Sequence, residues 1–245
     1  MRAMSSSMKL LRSKSTVFSL LICVITGILL LYFIHYWRVR IVRIEGIPEG
    51  VNLSGLENIK NKPMLFLSEQ SVKQAIKKSN PFIGRVQVSK KYPHTLVLIM
   101  VIDRPVAYFK SDAGFFVLNS EGKIISKLKG ASSSGDGLPV IHFFEKLHFS
   151  SYQSGDLLNY HDINTALRIL KKISELGIKI NTIDIDGVDM IGLNLKGRSV
   201  IFSSEKDVEM QVYQLRQIVH QFRIQGTDYK KIDLWFNRPV IELDE

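Results

Sequence analysis

Residues 86–109, VQVSKKYPHTLVLIMVIDRPVAYF, decide how this chain is read. Val86 and Val88 alternate with polar neighbours, Lys90 and Lys91 lead into Tyr92-Pro93, and an apolar, partly β-branched run follows from Thr95 to Ile102. Alternation broken by a turn proline predicts a hairpin with strands over 83–90 and 95–102. Arg104-Pro105 then stops the sheet, because proline lacks a backbone donor and holds the preceding residue extended. The run VAYF starts a new strand, so Arg104-Pro105 reads as a joint between two sheets.

Upstream, a helix is predicted over 68–78, with Ser68 as its cap and Leu67, Val72, Ala75 and Ile76 on one side. Asn80-Pro81 ends it. A second short helix is expected over 53–59. Before both, RVRIVRIEGI (38–47) predicts a β-branched strand ending at Gly46. The order strand, helix, helix, strand, strand folds as a three-stranded sheet with its helices on one face.

Ahead of that strand, residues 17–37, VFSLLICVITGILLLYFIHYW, contain no Asp, Glu, Lys or Arg. At about 1.5 Å per residue this length spans a hydrocarbon core of about 30 Å. It exceeds the apolar region of a cleaved signal, about 7 to 15 residues, and ends in Tyr32, Phe33, Tyr36 and Trp37, the residue types of a membrane interface. An uncleaved transmembrane helix is expected, preceded by a short tail, 1–16. Arg2, Lys9, Arg12 and Lys14 lie before it and Arg38, Arg40 and Arg43 after it, so charge favours a cytoplasmic N-terminus only slightly. The first strand begins about two residues past Trp37, which puts the globular part close to the membrane surface. The one cysteine, Cys23, lies inside this segment, so the exported fold rests on packing without an intramolecular disulfide.

Downstream, AYFKSDAGFFVLNSEGKIIS reads as two strands separated by NSEG, with Gly122 available for positive φ. GASSSGDG (130–137) is a loop. Ile163, Ala166, Leu167, Leu170 and Ile173 predict a helix over 162–176 stopped by Gly177. INTIDIDGV, IGLNLKG and SVIFSS read as short strands bending at Gly187 and Gly197. Val208, Val212, Leu215 and Val219 predict a helix over 205–221, and KKIDLWFNRPVIEL gives one or two strands interrupted near Asn237-Arg238-Pro239. The fold class expected is α+β, with a mostly antiparallel sheet in the second part.

The 245 residues suffice for one large domain or two small ones. Of the net charge of +10, the first 37 residues hold +4 with no acid, which leaves +6 for the rest. Such an excess does not identify nucleic acid as a partner. Lys90, Lys91 and Tyr92 join two cations to a ring, yet a single-strand platform needs several spaced aromatics in a basic groove. A solvated hairpin tip is expected, with anionic headgroups or a protein as the remaining candidates for contact.

His35, His94, His142, His148, His161 and His220 show no pair at metal-ligand spacing, so no zinc site is expected. Asp184, Asp186 and Asp189 invite Ca²⁺, but a further early ligand and the terminal Glu are missing. Solvated carboxylates beside inward-facing Ile183 and Ile185 account for the pattern. There is no G-x-S-x-G elbow and no phosphate-cradling glycine loop. No catalytic, metal or cofactor-binding residue is therefore assigned, and an enzyme is not expected.

Taken in order, the apolar helix, the hairpin and the tail resemble the FtsQ/DivIB family of bacterial cell-division proteins over nearly the whole chain. The residues that carry it are Val42 to Gly46 of a V-x-I-x-G strand; Pro81, Val86, Val88, Lys90, Lys91, Tyr92, Pro93, Thr95, Leu96, Val101, Arg104, Val106 and Ala107 of the hairpin-to-proline pattern; and Ile232 to Phe236, where the family often reads I-D-L-R-Y. The family commonly puts one more residue between Arg and Pro than Asp103-Arg104-Pro105 has.

The resemblance implies a polypeptide-transport-associated (POTRA) domain over 38–105, with Tyr92, Pro93, Leu96, Arg104 and Pro105 as its signature, and a β domain over 106–245. It implies a single-pass protein of the bacterial cytoplasmic (inner) membrane, located at the division septum, with the N-terminus cytoplasmic and the rest periplasmic or extracytoplasmic. It also implies a non-enzymatic role: assembly with FtsB/FtsL-like (DivIC/FtsL-like) bitopic proteins and other divisome membrane proteins for septal peptidoglycan synthesis. The partner-binding residues carried over are Ile232, Leu234, Trp235, Phe236, Arg238 and Val240, acting by strand addition at a C-terminal sheet edge. Trp235 stands where the family has Arg. One of Trp235 and Phe236 is expected in the core, because strand neighbours face opposite sides. Two further classes fit less of the sequence. A POTRA-type accessory of outer-membrane export would show repeated units or a barrel, and a membrane-anchored envelope enzyme would need a convergent polar pocket.

Overall fold

The computed structural model describes residues 4–48, 50–130 and 137–244, with side-chain surroundings from Leu20 onward. Most of the loop expected over 130–137 lies outside the described residues. Contacts divide the chain into two units, Met1–Ser79 with Arg85–Val101 and Asn80–Gly84 with Ile102–Glu245.

The chain opens with helix α1 (Met4–Tyr36), then β1 (Ile41–Glu45), α2 (Glu69–Ser79), β2 (Ile83–Lys91) and β3 (Thr95–Ile102). The three strands form one sheet in the order β1-β3-β2. β1 runs parallel to β3, from Ile41 beside Thr95 to Glu45 beside Ile99. A parallel neighbour cannot be reached by a tight turn, and the long connection through α2 supplies the crossover. β2 and β3 are joined by the three residues Tyr92–His94, which forces a hairpin. Leu96, Val97, Leu98 and Met100 are buried while Ile99 and Val101 are exposed, so burial alternates only in the second half of β3, along a run that is apolar throughout. Val86 and Val88 of β2 and Val72 and Ile76 of α2 are buried with them, as are Met64 and Leu67.

The helix expected over 53–59 is not formed. Those residues lie in bends and turns, and a single 3-10 turn, Met64–Phe66, stands before α2. Gly55 (φ +85°) and Asn61 (φ +63°) take left-handed backbone that no helix tolerates. The first strand is also shorter than expected, because Trp37 to Val39 bond elsewhere: Val39 N donates to Lys62 O at 3.0 Å and Met64 N to Trp37 O at 2.8 Å. Among the described residues no helix is long and apolar enough to cross a membrane. The expected span starts at Val17, ahead of the side chains described.

The second unit contains β4 (Ala107–Lys110), β5 (Gly114–Leu118), β6 (Ile124–Lys129), β7 (Val140–Phe143), α3 (His161–Glu175), β8 (Thr182–Ile185), β9 (Met190–Asn194), β10 (Ser199–Ser203), α4 (Val208–Gln225), β11 (Tyr229–Asp233) and β12 (Val240–Leu243). They form a nine-stranded sheet in the order β12-β11-β10-β9-β8-β7-β4-β5-β6. The sheet is mostly antiparallel, with parallel junctions at β10-β11, β7-β8 and β4-β7. Helices α3 and α4 are the crossovers for two of these junctions, β7 to β8 and β10 to β11, and they pack against each other. The core between helices and sheet is built on Phe109, Phe116, Ile141, Leu167, Ile183, Ile191, Phe202 and Leu215.

The stretch 107–118, expected as one strand, is two. The reversal at Ser111 to Ala113 is closed by Ser111 Oγ donating to Gly114 O at 2.8 Å. The NSEG turn then joins β5 to β6, with Asn119 Oδ1 accepting from Glu121 N and Lys123 N at 2.9 Å each. α4 starts later than expected because Asp207 caps it, accepting from Met210 N at 2.7 Å. Between β8 and β9 the left-handed residue is Asp189 (φ +56°), not Gly187. Asp184 faces His142 at 2.9 Å across β7 and β8.

Candidate functional site

β11 and β12 form a hairpin that ends the sheet. The register pairs Asp233 with Val240, Ile232 with Ile241 and Lys231 with Glu242, and slips between Tyr229 and Lys231. Lys230 Nζ meets Glu242 at 2.9 Å, and that hydrogen bond raises the lysine pKa. Tyr229 lies inward under the Arg198 guanidinium, 5.1 Å from its ring centroid. Burial pushes the Tyr229 phenol up, against the opposing pull of Arg198.

β12 has β11 on one side only, so about half of its backbone N–H and C=O groups point away from the sheet. All four of its residues are exposed, Val240, Ile241 and Leu243 among them. The opposite edge is covered in part. β6 starts against residues 155–157, with Ile124 N donating to Asp156 O at 2.9 Å and Gly155 N to Ile124 O at 2.7 Å. Further along β6, Lys127 donates to the Phe149 carbonyl and, at 2.6 Å, to Tyr152 O, with its ammonium 4.0 Å from the Phe149 ring centroid. β12 is therefore the more open of the two edges.

Beside the hairpin turn, a groove of about 410 Å³ is lined by Lys206, Asp207, Met210, Gln211 and Gln214 at the start of α4 and by Phe236 and Asn237. Gln211 fixes this wall from within: its Oε1 accepts from Ser203 N at 2.8 Å and its Nε2 donates to Ser203 O at 3.0 Å. Lys206 Nζ donates to Leu234 O at 3.3 Å and ties the turn to the helix.

The six residues carried over as partner-binding fall into two groups. Ile232 and Leu234 are fully buried in the chain's own core, which leaves their side chains nothing to offer a partner. Trp235 and Phe236 lie in the turn and not on a strand, so the alternation expected of them does not apply. Phe236 is half exposed, Trp235 is intermediate, and their rings meet edge-on at 5.1 Å. Arg238 and Val240 are exposed. Sequence reasoning missed Ile241 and Leu243 on the edge strand and Met210 on the groove wall, although VIEL at 240–243 is an apolar run with one charge and carried that signal.

The signature residues fall on other elements. Leu96 is buried on β3, while Tyr92 is exposed at the hairpin tip beside Pro93, its ring 5.2 Å from that of Trp37. Arg104 and Pro105 are exposed in the extended segment before β4. Asp103 pairs with Lys123 at 2.8 Å, and Lys123 also donates to Ile83 O at 3.1 Å. Gly84 is needed there, since a Cβ would collide with the Asp103 carboxylate.

Comparison with known proteins agrees with this division of features. The family described as the POTRA domain, FtsQ-type, matches residues 51–101, the span that carries α2, β2 and most of β3. The cell division protein DivIB of Clostridium acetobutylicum is 24% identical over 222 residues, which cover 86% of this chain and 84% of the relative. The cell division protein FtsQ of Rickettsia prowazekii is 25% identical over 201 residues, 81% of this chain and 69% of the relative. A domain match that falls on α2, β2 and most of β3, together with two relatives aligned along most of both lengths, supports the resemblance to the FtsQ/DivIB family of cell-division proteins.

Proposed function

We propose that this chain is a non-enzymatic, single-pass scaffold of the bacterial division apparatus whose partner adds a strand to β12. The observation that carries the reading is the open edge strand, with Val240, Ile241 and Leu243 partly exposed, beside a groove that has Phe236 and Met210 on its walls. Backbone groups of β12 provide affinity, and side chains of the added strand choose their positions against Val240, Ile241 and Leu243. The partners that fit are FtsB/FtsL-like (DivIC/FtsL-like) bitopic proteins, which bring the assembly to septal peptidoglycan synthesis.

In the same reading, residues 17–37 cross the cytoplasmic membrane with the N-terminus inside, and 38–105 and 106–245 are the two exported domains. Support comes from the side chains of Leu20 to Tyr36, which are apolar and exposed around most of the helix, a surface that water does not tolerate. The test is co-purification of FtsB- and FtsL-like proteins with the full chain and with a chain ending at Pro239. Loss of partner from the shortened chain, with circular dichroism unchanged, is expected. Retained capture moves the interface off β12, and uniform distribution of a fluorescent fusion around dividing cells overturns the septal role.

A further inference from the structure

We propose that the end of the three-stranded sheet carrying the β2–β3 turn is a docking face for an anionic lipid surface. The inference rests on the anchoring reading above and assigns a role to the basic hairpin tip. Three segments meet where α1 ends. Trp37 O accepts from Met64 N at 2.8 Å, Val39 N donates to Lys62 O at 3.0 Å, and Arg40 N and Ile41 N both donate to His94 O, at 3.0 and 3.2 Å. Rings continue the line of the helix, with Phe33 and Trp37 at 5.3 Å and Trp37 and Tyr92 at 5.2 Å. The exit of the apolar helix is thus held against the hairpin tip and the 3-10 turn.

The chemistry of this end is one-sided. Segments 37–41, 60–66 and 90–95 carry Arg38, Arg40, Lys60, Lys62, Lys90 and Lys91 and no carboxylate. Lys60 is paired with Glu57 at 3.6 Å. Among the cations stand exposed apolar side chains, Phe66 at 76%, Tyr92 at 53% and Leu65 at 43%. Aromatic rings among lysines, fixed to the end of an apolar helix, match the headgroup layer, where rings sit at the interface and each cation near an anionic surface strengthens binding about fivefold. A nucleic-acid strand would need a groove with spaced rings, and here the rings lie at the end of a helix instead.

The test uses the full chain with Cys23→Ser, reconstituted in vesicles of phosphatidylcholine alone or with phosphatidylglycerol, with a spin label on the lipid headgroup. Single cysteines at Leu65→Cys, Tyr32→Cys and, at the opposite end of β3, Val101→Cys carry an environment-sensitive fluorophore. Quenching at 32 and 65 but not at 101, present at 65 only with phosphatidylglycerol and weaker by about fivefold in the docking equilibrium for each of Lys90→Ala and Lys91→Ala, is the expected result. Quenching at 32 without quenching at 65 overturns the docking face and leaves the anchor standing. Equal quenching at 65 in both lipids overturns the role of charge. An unquenched label at 32 overturns the anchor and the docking face together.

Discussion

Gly46 stands against the carbonyl of Met100, at φ +85°, with no room for a Cβ. It is the glycine of the V-x-I-x-G run, placed where the chain leaves β1 while still beside β3. Gly46→Ala forces a left-handed alanine, at a cost of about 1–3 kcal/mol, and adds the collision. The two tryptophans, Trp37 and Trp235, fall one in each unit, so single-tryptophan variants report each separately. Urea unfolding read from Trp37 is expected to shift to lower midpoint, while that read from Trp235 stays in place.

Lys123 and Asp103 form a part-buried pair, with 18% and 17% of their side chains exposed. Asp103→Ala leaves the ammonium donating to the Ile83 carbonyl without its carboxylate, and costs about 1–3 kcal/mol. Lys123→Met in the same chain removes the orphaned charge. A double-mutant cycle in chemical denaturation is expected to return a favourable coupling of about 0.5–3 kcal/mol. Additive losses would mean that the two side chains act independently.

The parts of this fold with local causes were legible in the sequence. β3 occupies 95–102 as its apolar, partly β-branched run after the turn proline predicts, and α3 differs from its expected limits by one residue at each end. The error over 53–59 has a physical origin: Leu53, Leu56 and Ile59 imitate a helical face, and the left-handed Gly55 and Asn61 that prevent it leave only a weak trace. Ile232 to Phe236 is nearly all apolar, a pattern that predicts strand through Trp235 and Phe236. Asp233 ends the strand instead, its Oδ1 accepting from Trp235 N at 3.0 Å, the kind of local bond by which Asp makes turns. That β12 is the open edge could not be read from any local pattern. It follows from the order of nine strands, set by crossovers through α3 and α4 over long separations.

Tyr152 and Tyr160 bring their hydroxyls to 3.0 Å, and the Tyr152 phenol is pushed up to about 12, first by that hydrogen bond and then by burial. A raised phenol favours the neutral form in the folded chain. Its stabilising contribution is complete below the ordinary value of 10.0 and is lost as pH rises from there through about 12, where the unfolded chain ionises first. Tyr152→Phe is expected to lower thermal stability at neutral pH by about 1 kcal/mol or less for the lost bond. It should also flatten the fall in melting temperature above pH 10, and an unchanged alkaline slope would remove Tyr152 from that account.

β12 presents Val240, Ile241 and Leu243 on an unpaired edge, a surface prone to pair with another copy when no partner covers it. Lysine on an edge strand discourages such pairing while leaving backbone donors and acceptors in place. Ile241→Lys is therefore expected to reduce concentration-dependent association of the detergent-solubilised chain in sedimentation velocity. Partner capture should fall far less, because a cross-strand side-chain pair contributes about 0.2–1 kcal/mol, at most roughly a fivefold change in affinity. Removal of 240–245 takes away the backbone edge and abolishes both. If Ile241→Lys abolished capture as fully as the truncation does, side-chain packing and not backbone pairing would hold the partner.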